Sequence, residues 1–150
     1  MFGGVGTDSV LFATLCKHVF TTELNSETYS NLLKNIDEFE VTNITAKHAD
    51  CSIEATHEQG MDINFVYFDP PWGTEYVSGE DFDFNSVKLS SGMTVPTVLR
   101  LVHEKYGYVI VKQPYLCSTF EKEFQPWISK MYGFPRQKLK FLFLEPKTTK

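Results

Sequence analysis

Residues 64–77 read NFVYFDPPWGTEYV. The run Phe65-Val66-Tyr67-Phe68 is apolar and rich in β-formers. Asp69, Pro70 and Pro71 close it. A proline has no backbone N–H to offer a neighbouring strand, so the pattern predicts a buried strand over 63–68 that stops at Asp69. A carboxylate, a rigid Pro-Pro pair and the flat ring of Trp72 then stand together at a strand's carboxyl end.

Upstream, the chain opens on the glycine loop Phe2-Gly3-Gly4-Val5-Gly6. The pattern predicts a helix over 7–17 with Val10, Leu11, Ala13, Thr14 and Leu15 on its apolar side, then a strand from Val19 to Glu23. Asn25 or Ser26 caps a second helix running to Asp37, with Leu32, Leu33 and Ile36 as its buried stripe. Residues 41–48 read as a strand with Asp50 just beyond it, and 52–59 as a short helix or a loop. Downstream, 73–92 is a long connection, 94–105 a helix with Pro96 in its first turn, and 108–111 a strand. Residues 121–131 read as a helix carrying Pro126, and 139–144 as the last strand.

Alternating strands and helices predict an α/β fold with a mostly parallel sheet and helices on both faces, in a single domain over 1–150. Such sheets bind ligands beyond the carboxyl ends of their strands. Glu23, Asp50 and Asp69 each close a predicted strand, so all three carboxylates are expected along one edge with the glycine loop. A loop of this kind follows a strand, and here Met1 stands directly before it. The expectation is an N-terminally truncated domain lacking its first strand.

The bulk properties narrow the function. The 150 residues carry a formal charge of −5, with 42% hydrophobic and 22% charged residues. That balance argues against a non-specific nucleic-acid coat and leaves room for a local nucleotide site. Lys130, Arg136, Lys138, Lys140, Lys147 and Lys150 gather late in the chain and read first as a solvated surface, second as phosphate contacts. Cys16, Cys51 and Cys117 form no C-x-x-C pair, which points away from a zinc site and toward a reducing compartment. With no signal peptide and no membrane-length apolar run, an intracellular location, nuclear or cytoplasmic, is expected.

The chemistry follows from residue types. Glycines at 3, 4 and 6 allow close backbone approach and positive φ, and the helix start at Thr7 offers N–H donors. Glu23 lies about twenty residues on, where an acid can bind a ribose diol; taken singly, an ordinary helix-start carboxylate is the better reading of it. Asp50 suits an exocyclic amine or a turn, and Cys51 a purine ring or a core position. Asp69 and the Pro70 carbonyl offer two acceptors to one NH2, orienting its lone pair toward an electrophilic methyl. Trp72 supplies a stacking face.

Asp69-Pro70-Pro71-Trp72 resembles the D/N/S-P-P-[YFW] motif of amino-group methyltransferases that use S-adenosyl-L-methionine, and FGGVGTDSVLFA resembles their cofactor loop. DPPWGTEY, the downstream EDFDF and the late QKLKFLFLEP are similar to the RNA cap guanine-N2 methyltransferases, the trimethylguanosine synthase family. The resemblance implies a Rossmann-like class I fold. It matches Gly4, Gly6, Glu23 and Asp50 to cofactor binding and Trp72 to the 7-methylguanosine cap of RNA. With the residue chemistry added, cofactor binding is expected at Phe2, Gly4, Gly6, Thr7, Glu23, Asp50 and Cys51, catalysis at Asp69, Pro70, Pro71 and Trp72, and substrate contact at Trp72, Asp69 and Tyr76. No metal is required. Adenine-N6 methylation of DNA or RNA, and an inactive methyltransferase-fold binding module, are the rival expectations.

Overall fold

A computed structural model of the chain describes residues 1–53, 62–73 and 79–146. It divides into two compact units, Met1–Glu54 and Ala55–Lys150.

The first unit is a β-α-β arrangement preceded by the glycine loop and a short helix. Helix α1 spans Thr7–Ala13, strand β1 Val19–Glu23, helix α2 Ser26–Glu38 and strand β2 Ile44–His48. The Asn25 side chain accepts a hydrogen bond from Thr28 N at 2.9 Å and caps α2, with Glu27 in the first turn where the helix dipole favours an acid. Strands β1 and β2 pair in parallel, Val19 opposite Ile44 through Glu23 opposite His48.

Expectations for three elements are corrected here. Helix α1 ends at Ala13 and not at Lys17, because the Thr14 hydroxyl and the N–H groups that follow turn back onto Leu11 O and Phe12 O. Leu11 and Leu15 are exposed, and the buried residue of α1 is Ser9. In α2 only Leu32 is fully buried, while Leu33 faces solvent. Strand β2 begins at Ile44, since the Asn43 side chain is held by the carbonyls of Ala13 and Cys16.

The second unit carries strand β3 at Val66–Phe68, helix α3 at Val95–Tyr106, strand β4 at Val109–Pro114, helix α4 at Ser118–Phe124, strand β5 at Ile128–Phe134 and strand β6 at Leu139–Leu144. Their order in the sheet is β3-β4-β6-β5. Strand β3 runs parallel to β4, whereas β6 is antiparallel to both β4 and β5. Parallel pairing thus joins β1 with β2 and β3 with β4, and the final hairpin reverses. Val66, Phe68, Val109, Val111, Leu142 and Leu144 share one sheet face and are buried, with Val98, Leu99 and Val102 of α3 also in the core. Each fully buried side chain of this kind contributes roughly 1.5–3 kcal/mol.

The predicted helix over 121–131 is also corrected. Helix α4 stops at Phe124, Pro126 lies in a 3-10 turn, and Ile128 opens β5. Proline lacks the N–H and clashes with the preceding turn, so the helix cannot pass it. The hairpin with β6 then takes up the backbone groups.

The EDFDF segment is built into this core. Phe82 and Phe84 are buried and meet edge-on, centroids 5.0 Å apart, and Phe84 packs on Phe120 at 4.8 Å. Asp81 receives Ser118 N at 2.8 Å and Ser118 Oγ at 2.5 Å, which ties the segment to the start of α4. The Ser118 hydrogen bonds hold the Asp81 carboxyl below its ordinary value. A depressed native value adds stability that is complete above the unfolded value, near 3.9, and is lost as pH falls through the native one. Thermal melts should therefore show Asp81→Asn less stable than wild type at neutral pH, with the gap closing below about pH 4. A gap independent of pH would contradict this.

Candidate functional site

In the first unit the glycine loop is lashed to the end of β1. Gly3 N donates to Thr22 O at 2.6 Å, Gly4 N to Glu23 Oε2 at 2.9 Å, and Gly6 N to Gly3 O at 3.0 Å. A Cβ on Gly3 would come within 2.6 Å of Thr21 Oγ1 and 3.1 Å of Thr22 O, so only glycine permits this approach. Gly6 has φ 93° and caps α1 in the left-handed region, and Thr7 is the exposed first residue of that helix. The other Glu23 oxygen, Oε1, accepts from Asn25 N at 2.8 Å. A carboxylate has about four lone-pair sites. These two bonds orient the group and leave it able to accept more.

Just past β2, Asp50 Oδ1 accepts from Ser52 N at 2.8 Å and Ser52 Oγ at 2.5 Å, opening a helical turn at Cys51. The Cys51 thiol is buried. Burial pushes it up to about 12, opposed first by the charge of the terminal ammonium and then by a hydrogen bond from the Phe2 backbone, and helped by the charges of Asp50 and Glu23. Phe2, Glu23, Asp50 and Cys51 are thus neighbours, brought together from three separated places in the sequence. Phe2 itself has φ 58°, a conformation a bulky residue adopts only when its surroundings enforce it.

In the second unit Asp69 leaves β3 directly after Phe68, whose partner on β4 is Val111. The next residue of β4 is Lys112, and its Nζ lies 2.8 Å from Asp69 Oδ2, each side chain 23% exposed. The same Nζ is 5.7 Å from the centroid of the Trp72 ring, within reach of a cation–π contact. Pro70 is buried, Pro71 exposed and Trp72 half-buried. The indole Nε1 is itself buried, so the ring is only partly open to solvent. Lys112 was not foreseen from the sequence; only the parallel register of β3 and β4 reveals that it is the neighbour of Asp69. Tyr76 lies outside the described residues.

The profile of the RNA cap guanine-N2 methyltransferases matches residues 1–116. The chain belongs to that family. An uncharacterized protein of Acanthamoeba polyphaga mimivirus is 33% identical over 118 residues, covering 76% of this chain and 44% of that protein. The chain thus spans less than half the length of this curated relative. Among solved structures, an rRNA methylase from Streptococcus thermophilus matches with TM-score 0.63 and 13% identity, over 96% of this chain and 82% of the other. A fibrillarin/Nop5p complex matches with TM-score 0.66 and 13% identity, over 96% and 69%. These likenesses establish the fold, a Rossmann-like methyltransferase fold of the α/β class. No helix of the described residues is long and apolar enough to cross a membrane.

The geometry around Cys51 sets a chemical test. A thiol near 12 holds almost no thiolate at neutral pH. Maleimide should label Cys16, which is partly exposed, well before Cys51. Gly3→Ala should displace Phe2 and accelerate Cys51 labelling severalfold. Mass spectrometry showing Cys51 labelled as fast as Cys16 in the wild-type chain would contradict the arrangement.

Proposed function

We propose that the chain is the catalytic domain, or part of it, of an S-adenosyl-L-methionine-dependent methyltransferase that modifies N2 of the 7-methylguanosine cap of RNA. The observation that carries this reading is the corner formed by Asp69, Lys112 and Trp72 beyond the Pro-Pro stop of β3. It combines an oriented hydrogen-bond acceptor with a partly exposed aromatic ring, the pair of features an amine-bearing purine needs.

The residues of the first unit fit the nucleoside part of the cofactor. Glu23 is fixed by Gly4 N and Asn25 N and retains acceptor capacity suited to ribose hydroxyls. Asp50 stands at a helical turn beside buried Cys51, a setting for an amine and the purine plane that carries it. When bound, the cofactor supplies an electrophilic sulfonium methyl.

In the acceptor corner, Asp69 and the Pro70 carbonyl would receive the two N–H bonds of guanine N2 and fix the direction of its lone pair. The reaction forms one N–C bond, breaks one C–S bond and releases one proton from the amine. Asp69, held by Lys112 Nζ at 2.8 Å, serves as a hydrogen-bond acceptor, and the released proton passes to water. Trp72 stacks on 7-methylguanine, whose positive charge adds a cation–π contribution of about 1–2 kcal/mol when desolvated.

Labelled methyl transfer tests the reading. Wild type should methylate RNA bearing a 7-methylguanosine cap and leave uncapped, adenine-rich RNA unlabelled. Trp72→Ala and Asp69→Ala should each lower kcat/KM by about tenfold to a thousandfold. Transfer to the uncapped RNA would favour adenine-N6 chemistry. A titration showing no affinity for S-adenosyl-L-methionine would favour a binding module.

A further inference from the structure

The β5–β6 hairpin departs from the rest of the chain in charge and exposure. Between Ile128 and Leu144 there is no Asp or Glu, yet there are Lys130, Arg136, Lys138 and Lys140, in a chain of formal charge −5. Residues 130–138 are all exposed, including Tyr132 at 51% and Phe134 at 43%. The hairpin also lies beyond the residues matched by the family profile.

Its aromatic rings are ordered by the sheet. Tyr132 stands opposite Phe141 and Phe134 opposite Leu139, and residues directly opposite share a sheet face. The Tyr132 ring meets Phe143 edge-on at 5.6 Å, and the Phe134 ring meets Phe141 edge-on at 5.9 Å. These contacts support the rings from beneath and leave much of them open to solvent. Phe141 is in turn opposite Lys112, the partner of Asp69. One row therefore crosses the sheet from the acceptor corner through Lys112 and Phe141 to Tyr132. Three strand spacings give it a length of about 14 Å. The turn at Pro135–Gln137 and Lys138 crown the same end of β5.

We propose that this hairpin binds the single-stranded RNA that leads away from the methylated nucleotide, with Tyr132 and Phe134 stacking on bases and Lys130 and Arg136 contacting phosphates. Aromatic faces interleaved with cations are the arrangement that holds single strands with little sequence preference. The hairpin's own sequence holds no carboxylate, and Glu121, which reaches it, is paired with Lys140, so the hairpin repels a polyanion less than the acidic remainder of the chain does. The direction of the strand rests on the acceptor corner proposed above; the RNA contact does not.

The test uses the whole chain without cofactor and a fluorescent, uncapped RNA of about twelve nucleotides, read by anisotropy. Wild type should bind with an affinity that falls as salt rises. The double variant Tyr132→Ala, Phe134→Ala should bind about tenfold or more weakly, and Tyr132→Phe, which keeps the ring, should bind as wild type does. Lys130→Glu with Arg136→Glu should weaken binding and flatten the salt dependence. All these positions are exposed, and unchanged melting temperatures confirm folding. The hairpin variants should still methylate a free cap dinucleotide at the wild-type rate while losing turnover on capped RNA. Wild type that fails to bind RNA, hairpin variants that bind it as wild type does, or capture by phosphatidylserine vesicles in place of RNA would each overturn the proposal. Failure of wild type to methylate the dinucleotide, with RNA binding intact, would count against the cap reading and leave the hairpin's role standing.

Discussion

The ion pair between Lys112 and Asp69 is the contact on which the acceptor corner depends. It exists because β3 and β4 are parallel and in a register that sets Phe68 beside Val111. One residue further along each chain, a carboxylate and an ammonium meet. The two prolines then prevent the backbone from continuing as a strand and deliver Trp72 close to the same ammonium. With both side chains partly exposed, the pair adds less than about 1 kcal/mol to stability. Its value is in orientation and charge. Asp69 is held in one direction, and Lys112 is neutralised beside an indole. In the proposed function, this neutralisation lets a positively charged purine approach that ring without facing an uncompensated ammonium.

The first unit uses a carboxylate in a related way. Glu23 joins the glycine loop to the start of α2 through one bond from each oxygen. The loop lies so close to β1 that a methyl group at Gly3 would not fit. The enforced backbone of Phe2 and the buried thiol of Cys51 follow from the same tight packing. Each unit thus fixes a carboxylate through contacts with residues from another part of the chain.

What the sequence revealed was local, and what it concealed was long-range. The Asp69 stop, the Asn25 cap and the apolar strand containing Val109 and Val111 are written in adjacent residues, and the structure has all three. Strand β5 was concealed because, as an exposed edge strand, it shows no alternation of buried and open positions. The charged residues of its approach made it look helical, with Pro126 the one sign against that reading. Lys112 was concealed because its partner is 43 positions away and the link is a matter of register alone. The aromatic residues of EDFDF were visible as a motif, but their role as core lining around Phe120 emerges only from packing. The glycine loop was legible as a close-approach element, whereas the use of its N–H groups within the unit was not.

The central claim is that Trp72 is a stacking plate for a cationic purine. Indole fluorescence measures this directly, with Trp127 as the second fluorophore, packed 5.4 Å from His103 and 5.8 Å from Phe124. On titration, 7-methylguanosine triphosphate should quench the emission and bind several-fold to about thirtyfold more tightly than guanosine triphosphate, as a cation–π contribution of about 1–2 kcal/mol requires. The quenching should vanish in Trp72→Phe. Equal affinity for the two nucleotides, or quenching that survives in Trp72→Phe, would contradict the account.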